Sequence, residues 1–285
     1  MKCCIVGKFE SFHKGHQLLI EEARKRCKKV VVVSIRKWEK EFFSEKEREL
    51  LAKQFGVDLV HLDFKEIKDL SPEEFFVKLK TLGCRKLFAG EDWHFGKGRI
   101  GNAETAKILG KRIGIEVVIV PIRKEENRKI STSVIKELLS SGKVEKANKL
   151  LGFNYFVIGK VKEGKKLGRE IGFPTINVEY EKKIFLPYGV FEVVLEVDGK
   201  TYKGIANFGK KPTVEEGETL ETLEVHIPDE NLPPLYGKEV KVEFLKFLRP
   251  EKKFSSIEEL KKQIKLDVEN LKKYWRDKVG RAENF

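Results

Sequence analysis

The chain has 285 residues, 40 % apolar and 36 % charged, with a formal net charge of +13 at pH 7 and four cysteines. That length is too great for one small domain and suits two of ordinary size. No apolar run is long enough to span a bilayer and no charged-then-apolar leader precedes the first strand, so the expectation is a cytoplasmic protein with no membrane partner. The high charged fraction and single methionine lean towards heat stability. The positive excess is uneven: residues 1–152 carry 33 Lys and Arg against 22 Asp and Glu, residues 153–285 only 25 against 23. An excess confined to one half suggests an anionic partner there, nucleotide phosphate or nucleic acid. Cys3, Cys4, Cys27 and Cys84 show no paired spacing and are expected to be free, buried, small apolar residues. A zinc site from Cys3, Cys4, His13 and His16 fits poorly, because adjacent residues of a strand face opposite ways.

An apolar strand, Cys3 to Val6, runs into the loop Gly7-Lys8-Phe9-Glu10-Ser11-Phe12-His13-Lys14-Gly15-His16, and a helix leaves it. Glycines at both ends permit close backbone approach to a ligand. Two histidines at a helix start, where free N–H groups and the helix dipole favour anions, read as a phosphate-handling site. Val30–Ile35 is a β-branched run suited to a central parallel strand. Ser44–Phe55 predicts a helix and Leu59–Leu62 a strand. Ser71-Pro72-Glu73-Glu74 carries a cap, a proline at the first position and acids in the first turn, opening a helix to about Leu82. Lys86–Ala89 and Glu116–Val120 predict strands around a helix at Ala103–Ile113. This alternation implies a doubly wound α/β parallel sheet, in which ligands collect at the carboxyl ends of the strands.

Three polar segments fall at those ends: the opening loop; Ala89-Gly90-Glu91-Asp92-Trp93-His94-Phe95-Gly96-Lys97-Gly98-Arg99, after the Lys86–Ala89 strand; and Ile130-Ser131-Thr132-Ser133-Val134-Ile135-Lys136, at a helix start. A Ser/Thr run alone would simply cap its helix. Their convergence favours a nucleotide site. The H-x-G-H of His13, Gly15 and His16, with the I-S-T-S and G-x-D-x-x-F-G segments, resembles the HxGH nucleotidyltransferases, and among them the FMN adenylyltransferase module of prokaryotic bifunctional FAD synthetases. The resemblance implies attack of an FMN phosphate on the α-phosphorus of ATP with release of pyrophosphate. It places Gly7, Phe9, Gly15, Asp92, Ser131, Ser133 and Lys136 at ATP, His13 and His16 at the transferring phosphate, and Phe95 at the flavin. The chain departs from the family pattern in carrying Glu10 for Asp, Ser11 for Gly, Lys136 for Arg, and Ser34-Ile35-Arg36-Lys37-Trp38 where T-F-x-P-H-P is usual.

Ser140-Ser141-Gly142-Lys143 breaks one helix, Val144–Leu151 forms a short second one, and the pattern changes after Gly152. Residues 1–152 and 153–285 are therefore read as separate domains. Tyr155–Val161, Gly189–Val197, Lys200–Ala206, Leu220–Ile227 and Glu239–Leu248 predict short strands, with a tight turn at Asp198-Gly199, and point to a small antiparallel β-barrel. A terminal helix opens at Ser256 with Glu259 at capping-box spacing and carries the stripe Ile257, Leu260, Ile264, Val268, Leu271, Trp275.

Between these elements, Gly164–Asn177 is glycine-rich and basic and ends G-F-P-T-I-N, with Thr175 and Asn177 supplying oxygen donors on one side. This segment resembles the riboflavin kinase motif, and further matches follow in family order: Gly204–Thr213, Glu224-Val225-His226-Ile227, Leu235-Tyr236-Gly237 and Phe247–Phe254. The resemblance implies transfer of the γ-phosphoryl group of ATP to the riboflavin 5′-hydroxyl, yielding FMN and ADP. Glu224 would be the base, Thr175 and Asn177 the Mg²⁺ ligands, and Gly164, Arg169, Gly172 and Pro174 the phosphate contacts. Asn207, Arg249 and Phe254 would hold the flavin. The whole then reads as a bifunctional enzyme making FMN and FAD from riboflavin with Mg²⁺ and ATP. Two alternatives stand beside it: a riboflavin kinase with an altered first half, and a basic nucleic-acid-binding protein, against which the lack of an RNA-binding aromatic motif or zinc-finger spacing counts. No oligomeric state follows from the sequence.

Overall fold

A computed structural model describes residues 2–37, 41–122, 124–125, 128–163, 172–212, 219–230 and 232–282. The chain divides into two compact units, residues 1–136 with 150–152, and residues 137–149 with 153–285.

The first unit is a five-stranded parallel sheet with helices around it. Its strands are β1 (Lys2–Gly7), β2 (Lys29–Arg36), β3 (Asp58–Asp63), β4 (Lys86–Gly90) and β5 (Glu116–Val120), in spatial order β3-β2-β1-β4-β5. All are parallel. Cys3, Cys4, Ile5 and Val6 are all buried, as a central strand covered on both faces requires. The interleaved helices are α1 (Lys14–Arg24), α2 (Glu45–Gln54), α3 (Phe64–Ile67), α4 (Pro72–Thr81) and α5 (Ala103–Ile113). Capping boxes at Ser44–Glu47 and Ser71–Glu74 start α2 and α4. One face of the sheet buries Cys4, Val6, Val31 and Val33 against Phe75, Phe76 and Leu79 of α4 and Ala106 and Leu109 of α5. Gly110 lets α5 approach β5 closely, since a Cβ there would lie 2.5 Å from the Ile115 carbonyl oxygen. The strand order reverses between β1 and β4, which opens a crevice at their carboxyl ends.

The cysteines correct the expectation that all four are free. Cys3 and Cys27 form a disulfide across a separation of 24 residues, with Cα atoms 6.2 Å apart. The turn after α1 brings Cys27 back beside the start of β1, a proximity set by tertiary structure and absent from any local spacing. Cys4 faces the other way and meets Cys84, both buried and free. The Cys4–Cys84 hydrogen bond lowers the thiol pKa of Cys4 and raises that of Cys84.

After a two-stranded hairpin, β6 (Lys124–Glu125) with β7 (Arg128–Lys129), come α6 (Thr132–Ser140) and α7 (Val144–Leu151). The second unit is a closed antiparallel barrel of β8 (Phe156–Lys162), β9 (Ile176–Glu179), β10 (Gly189–Val197), β11 (Lys200–Pro212), β12 (Thr219–His226) and β13 (Glu239–Pro250). Its order is β10-β11-β12-β9-β8-β13. Closure removes the exposed strand edges of an open sheet. Phe191, Phe208, Leu223, Val225 and Phe244 are among its buried residues. The terminal helix α8 (Ile257–Ala282) lays Val268 and Leu271 on Val190 and Ile205 of the barrel wall. Its start differs slightly from expectation. Ser256 Oγ accepts from Glu259 N–H at 3.1 Å, but the Glu259 carboxylate turns to Ser255, accepting from its N–H and hydroxyl.

Candidate active sites

In the first unit the opening loop leaves β1 and turns sharply, with Phe9 at φ 43° and Phe12 at φ 49°. His13 then caps α1, its Nδ1 accepting from the His16 N–H at 3.3 Å. An accepting Nδ1 leaves the proton of the neutral ring on Nε2, which is thereby a donor. The His13 and His16 rings stack 3.8 Å apart at 7°, and Phe9 stacks on His16 at 4.2 Å. Burial pushes the His13 imidazole down to about 4, and the nearby Lys129 charge acts in the same direction. His16 is likewise held well below the usual imidazole range, by burial first and then by His13, Arg48 and Lys129. Both rings are neutral at pH 7. His16 Nδ1 is buried and finds no hydrogen-bond partner among the described residues.

The three polar segments meet. A cleft of about 710 Å³ at the β1/β4 crevice is lined by Gly7, Phe9, His13, Gly15, His16, Asp92, Phe95, Ser131, Ser133 and Lys136, which are all the candidates of this half. Three of the departures from the family pattern make contacts here. Lys136 Nζ donates to Glu10 Oε2 at 3.2 Å, and the hydroxyls of Ser11 and Thr132 are 2.8 Å apart. Both links tie the opening loop to the start of α6. Ser131 Oγ accepts from the Val134 N–H. Asp92 pairs with Lys129. Phe95 is buried in an aromatic cluster with Phe75, Phe76 and Trp93, and touches the cleft from that cluster.

In the second unit the register aligns the kinase candidates. Asn207 of β11 lies opposite Glu224 of β12, and Glu224 lies opposite Asn177 of β9. On the other side Asn207 faces Val190 of β10, which faces Arg249 of β13. Directly paired residues share a face, about 5 Å apart between neighbours. Because the next residues along, Phe208, Leu223 and Val178, are buried, the Asn207–Glu224–Asn177 row is on the outer wall. Thr175 is exposed just before β9, after Gly172 at φ 85° and Pro174. Arg249 makes a two-pronged pair with Asp267 of α8, at 2.9 and 2.7 Å, which fastens the helix to the barrel. Phe254 sits under the Lys252 amine, 5.5 Å from its ring centre. Gly164 and Arg169 lie outside the described residues. Among the described residues no group of three His, Cys, Asp or Glu side chains is placed to hold a metal, and no helix is long and apolar enough to cross a membrane.

Residues 2–134 match the FAD synthetase family and residues 151–275 the riboflavin kinase family. A bifunctional riboflavin kinase/FMN adenylyltransferase of Pseudomonas fluorescens is 32 % identical over 280 residues, covering 92 % of this chain and 89 % of the relative. That of Bacillus subtilis is 33 % identical over 291 residues, covering 95 % and 91 %. This chain belongs to the bifunctional riboflavin kinase/FMN adenylyltransferase family. A solved structure described as a macrolide-efflux protein from Streptococcus pneumoniae shares the fold, with 32 % identity, a TM-score of 0.84 and coverage of 94 % of this chain and 92 % of that one.

Several cleft residues of the first unit are not marked by any motif. The Lys8 carbonyl accepts from Ser34 Oγ at 2.9 Å and from Arg48 at 3.3 Å, bracing the start of the opening loop. Arg48 is fully buried, which lowers its guanidinium to about 10, and it reaches Glu41 at 3.4 Å. Arg36, also buried, pairs with Glu41 and Glu45. Ser34 and Arg36 of this cluster fall in the stretch where the family's proline-rich segment is replaced. The only local signal was Arg36 at the end of an apolar strand. Lys129 is carried by a hairpin too short to show periodicity.

Proposed function

We infer that this chain phosphorylates riboflavin to FMN with ATP and adenylylates FMN to FAD with release of pyrophosphate, the first reaction in residues 153–285 and the second in residues 1–152. The carrying observation is that the candidates sort into two sites with different chemistry: a cleft of hydrogen-bond donors suited to phosphate oxygens around neutral imidazoles, and a barrel row centred on one carboxylate.

In adenylyl transfer, an FMN phosphate oxygen attacks the α-phosphorus as the bond to the β-bridging oxygen breaks. No protein nucleophile is needed, so the work is positioning and electrostatics. His13 donates Nε2–H to the α,β-phosphate oxygens, helped by the α1 N-terminus behind it. His16 stacks against His13 and keeps its ring in place. Ser131, Ser133 and Lys136 at the start of α6 hold the β,γ end, while Gly7, Phe9, Gly15 and Asp92 shape the cleft around the nucleotide. Phe95 packs the aromatic wall beside the flavin.

In the kinase, the riboflavin 5′-hydroxyl attacks the γ-phosphorus, its proton passes to Glu224, and ADP leaves. A neutral alcohol requires such an acceptor. Asn207, beside Glu224, positions the flavin with Phe254, and Arg249 fixes the wall and helix from which the 251–254 segment departs. Thr175 and Asn177 offer neutral oxygens without a carboxylate cage, which suits a Mg²⁺ ion brought by ATP phosphates and still partly hydrated. Bound there, that ion would neutralise charge on the β- and γ-oxygens. Use of ATP supports a cytoplasmic setting. The test is incubation with riboflavin and Mg·ATP, with the flavins resolved by chromatography. FMN followed by FAD is expected. FMN alone would reduce the protein to a kinase, and no conversion would overturn the proposal.

A further inference from the structure

His226 is not assigned a role in either reaction, yet it sits at the point where the barrel stops supporting the proposed Mg·ATP segment. The β9–β12 ladder holds three pairs, ending at Ile176 opposite Val225. The next pair would be Thr175 opposite His226, and there the ladder is finished. Asn177 is thus fixed by two neighbouring strands, β12 and β8, whereas Thr175 lies beyond the pairing. Pro174, just before it, has no N–H to offer any partner.

The His226 side chain takes over where the backbone pairing ends. Its Nδ1 lies 2.8 Å from the Pro174 carbonyl oxygen, and its ring meets Phe173 edge-on, with centroids 5.6 Å apart at 77°. A carbonyl only accepts, so Nδ1 carries the proton and donates. The imidazole grips the chain on both sides of the Phe173–Pro174 bond. Its own strand is held by β11, where His226 lies opposite Ile205. His226 also stands two residues from Glu224 on the same strand face, about 7 Å along. One rigid strand therefore carries both the proposed base and the side chain that locks the segment leading to Thr175.

We propose that His226 is a positioning residue that extends the β9–β12 pairing by one side-chain bond and so fixes Thr175 relative to Asn177 for binding of Mg·ATP. This rests on the kinase reading of Thr175 and Asn177. Burial pushes the imidazole pKa down, and the hydrogen bond to Pro174 acts in the opposite direction. A donor in the Nδ1 position is what the role requires, and the amide nitrogen of asparagine occupies nearly that place.

The test compares His226→Leu, His226→Asn and Thr175→Ala in the full chain. For riboflavin phosphorylation, His226→Leu is expected to raise the KM for Mg·ATP at least tenfold with kcat within threefold, and to weaken Mg·ADP binding in calorimetry equally. His226→Asn should restore both to within threefold. In ligand-free protein, amide hydrogen exchange over residues 176–178 should speed up in His226→Leu and not in His226→Asn. A KM for riboflavin within threefold of wild type in the same preparations reports that the barrel is folded. The double variant should bind Mg·ADP no worse than Thr175→Ala alone if His226 acts through Thr175. An unchanged KM in His226→Leu beside a raised one in Thr175→Ala would overturn this inference alone, as would equal behaviour of the Leu and Asn variants. Unchanged ATP use in Thr175→Ala would overturn the assignment of Thr175, and this inference with it.

Discussion

Replacing His13 by asparagine separates its capping role from its titration. Asparagine is a favoured N-cap whose oxygen accepts the same His16 N–H, so the start of α1 survives. What disappears is an imidazole held at about 4 when folded against about 6.5 when unfolded. Between those values the unfolded chain binds more protons, so His13 contributes stability that is present above 6.5 and lost as the pH falls towards 4. His13 is only 7 % exposed, so solvent screening takes little from the effect, and the loss from pH 7 to pH 5 is about 2 kcal/mol. His16 shifts in the same direction and remains in both proteins. The assay is hydrogen exchange of the β1 amides, which report opening of the first unit. Wild type should lose about 2 kcal/mol more than His13→Asn between pH 7 and pH 5. Parallel losses in the two proteins would refute the buried, neutral imidazole.

Other outcomes follow from particular contacts. Lys136→Met should raise the KM for ATP in FAD formation at least tenfold, while Lys136→Arg stays close to wild type and neither variant alters riboflavin phosphorylation in steady-state assays. Gly110→Ala should destabilise the first unit by about 1–3 kcal/mol in thermal unfolding, because the clash with the Ile115 carbonyl outweighs the helix-propensity gain. Thiol labelling of the unreduced, unfolded protein should find two free cysteines, Cys4 and Cys84, and reduction of the Cys3–Cys27 bond should lower stability by about 3 kcal/mol, as for a loop of that length.

What was legible in the sequence was local. The apolar run of β1, the Ser71-Pro72 helix start and the Asp198-Gly199 turn each specify their element through nearest-neighbour physics, and the structure reproduces Ala103–Ile113, Glu116–Val120, Val144–Leu151 and Gly189–Val197 residue for residue. Elements too short for periodicity were invisible: β6, β7 and α3 carry two to four residues, and β9 follows directly on a Pro-Thr that reads as loop. Long-range pairings were equally hidden. Nothing near Glu10 announces Lys136, 126 positions away, and no spacing announces that Cys27 returns to Cys3. Resemblance supplied the kinase residues. Only the barrel register shows Asn207, Glu224 and Asn177 as one row. Buried arginines stayed unread because a charged residue in sequence defaults to the surface, and Arg36 and Arg48 are buried only where carboxylates and a carbonyl receive them.

The central claim is that two separate sites make the two flavins, and mixing two disabled proteins tests it most directly. Glu224→Gln fed riboflavin and Mg·ATP should form neither FMN nor FAD, and His13→Ala should stop at FMN. An equimolar mixture should yield FAD, each variant supplying the step the other lacks. FAD from either variant alone, or a mixture that halts at FMN, would contradict the assignment.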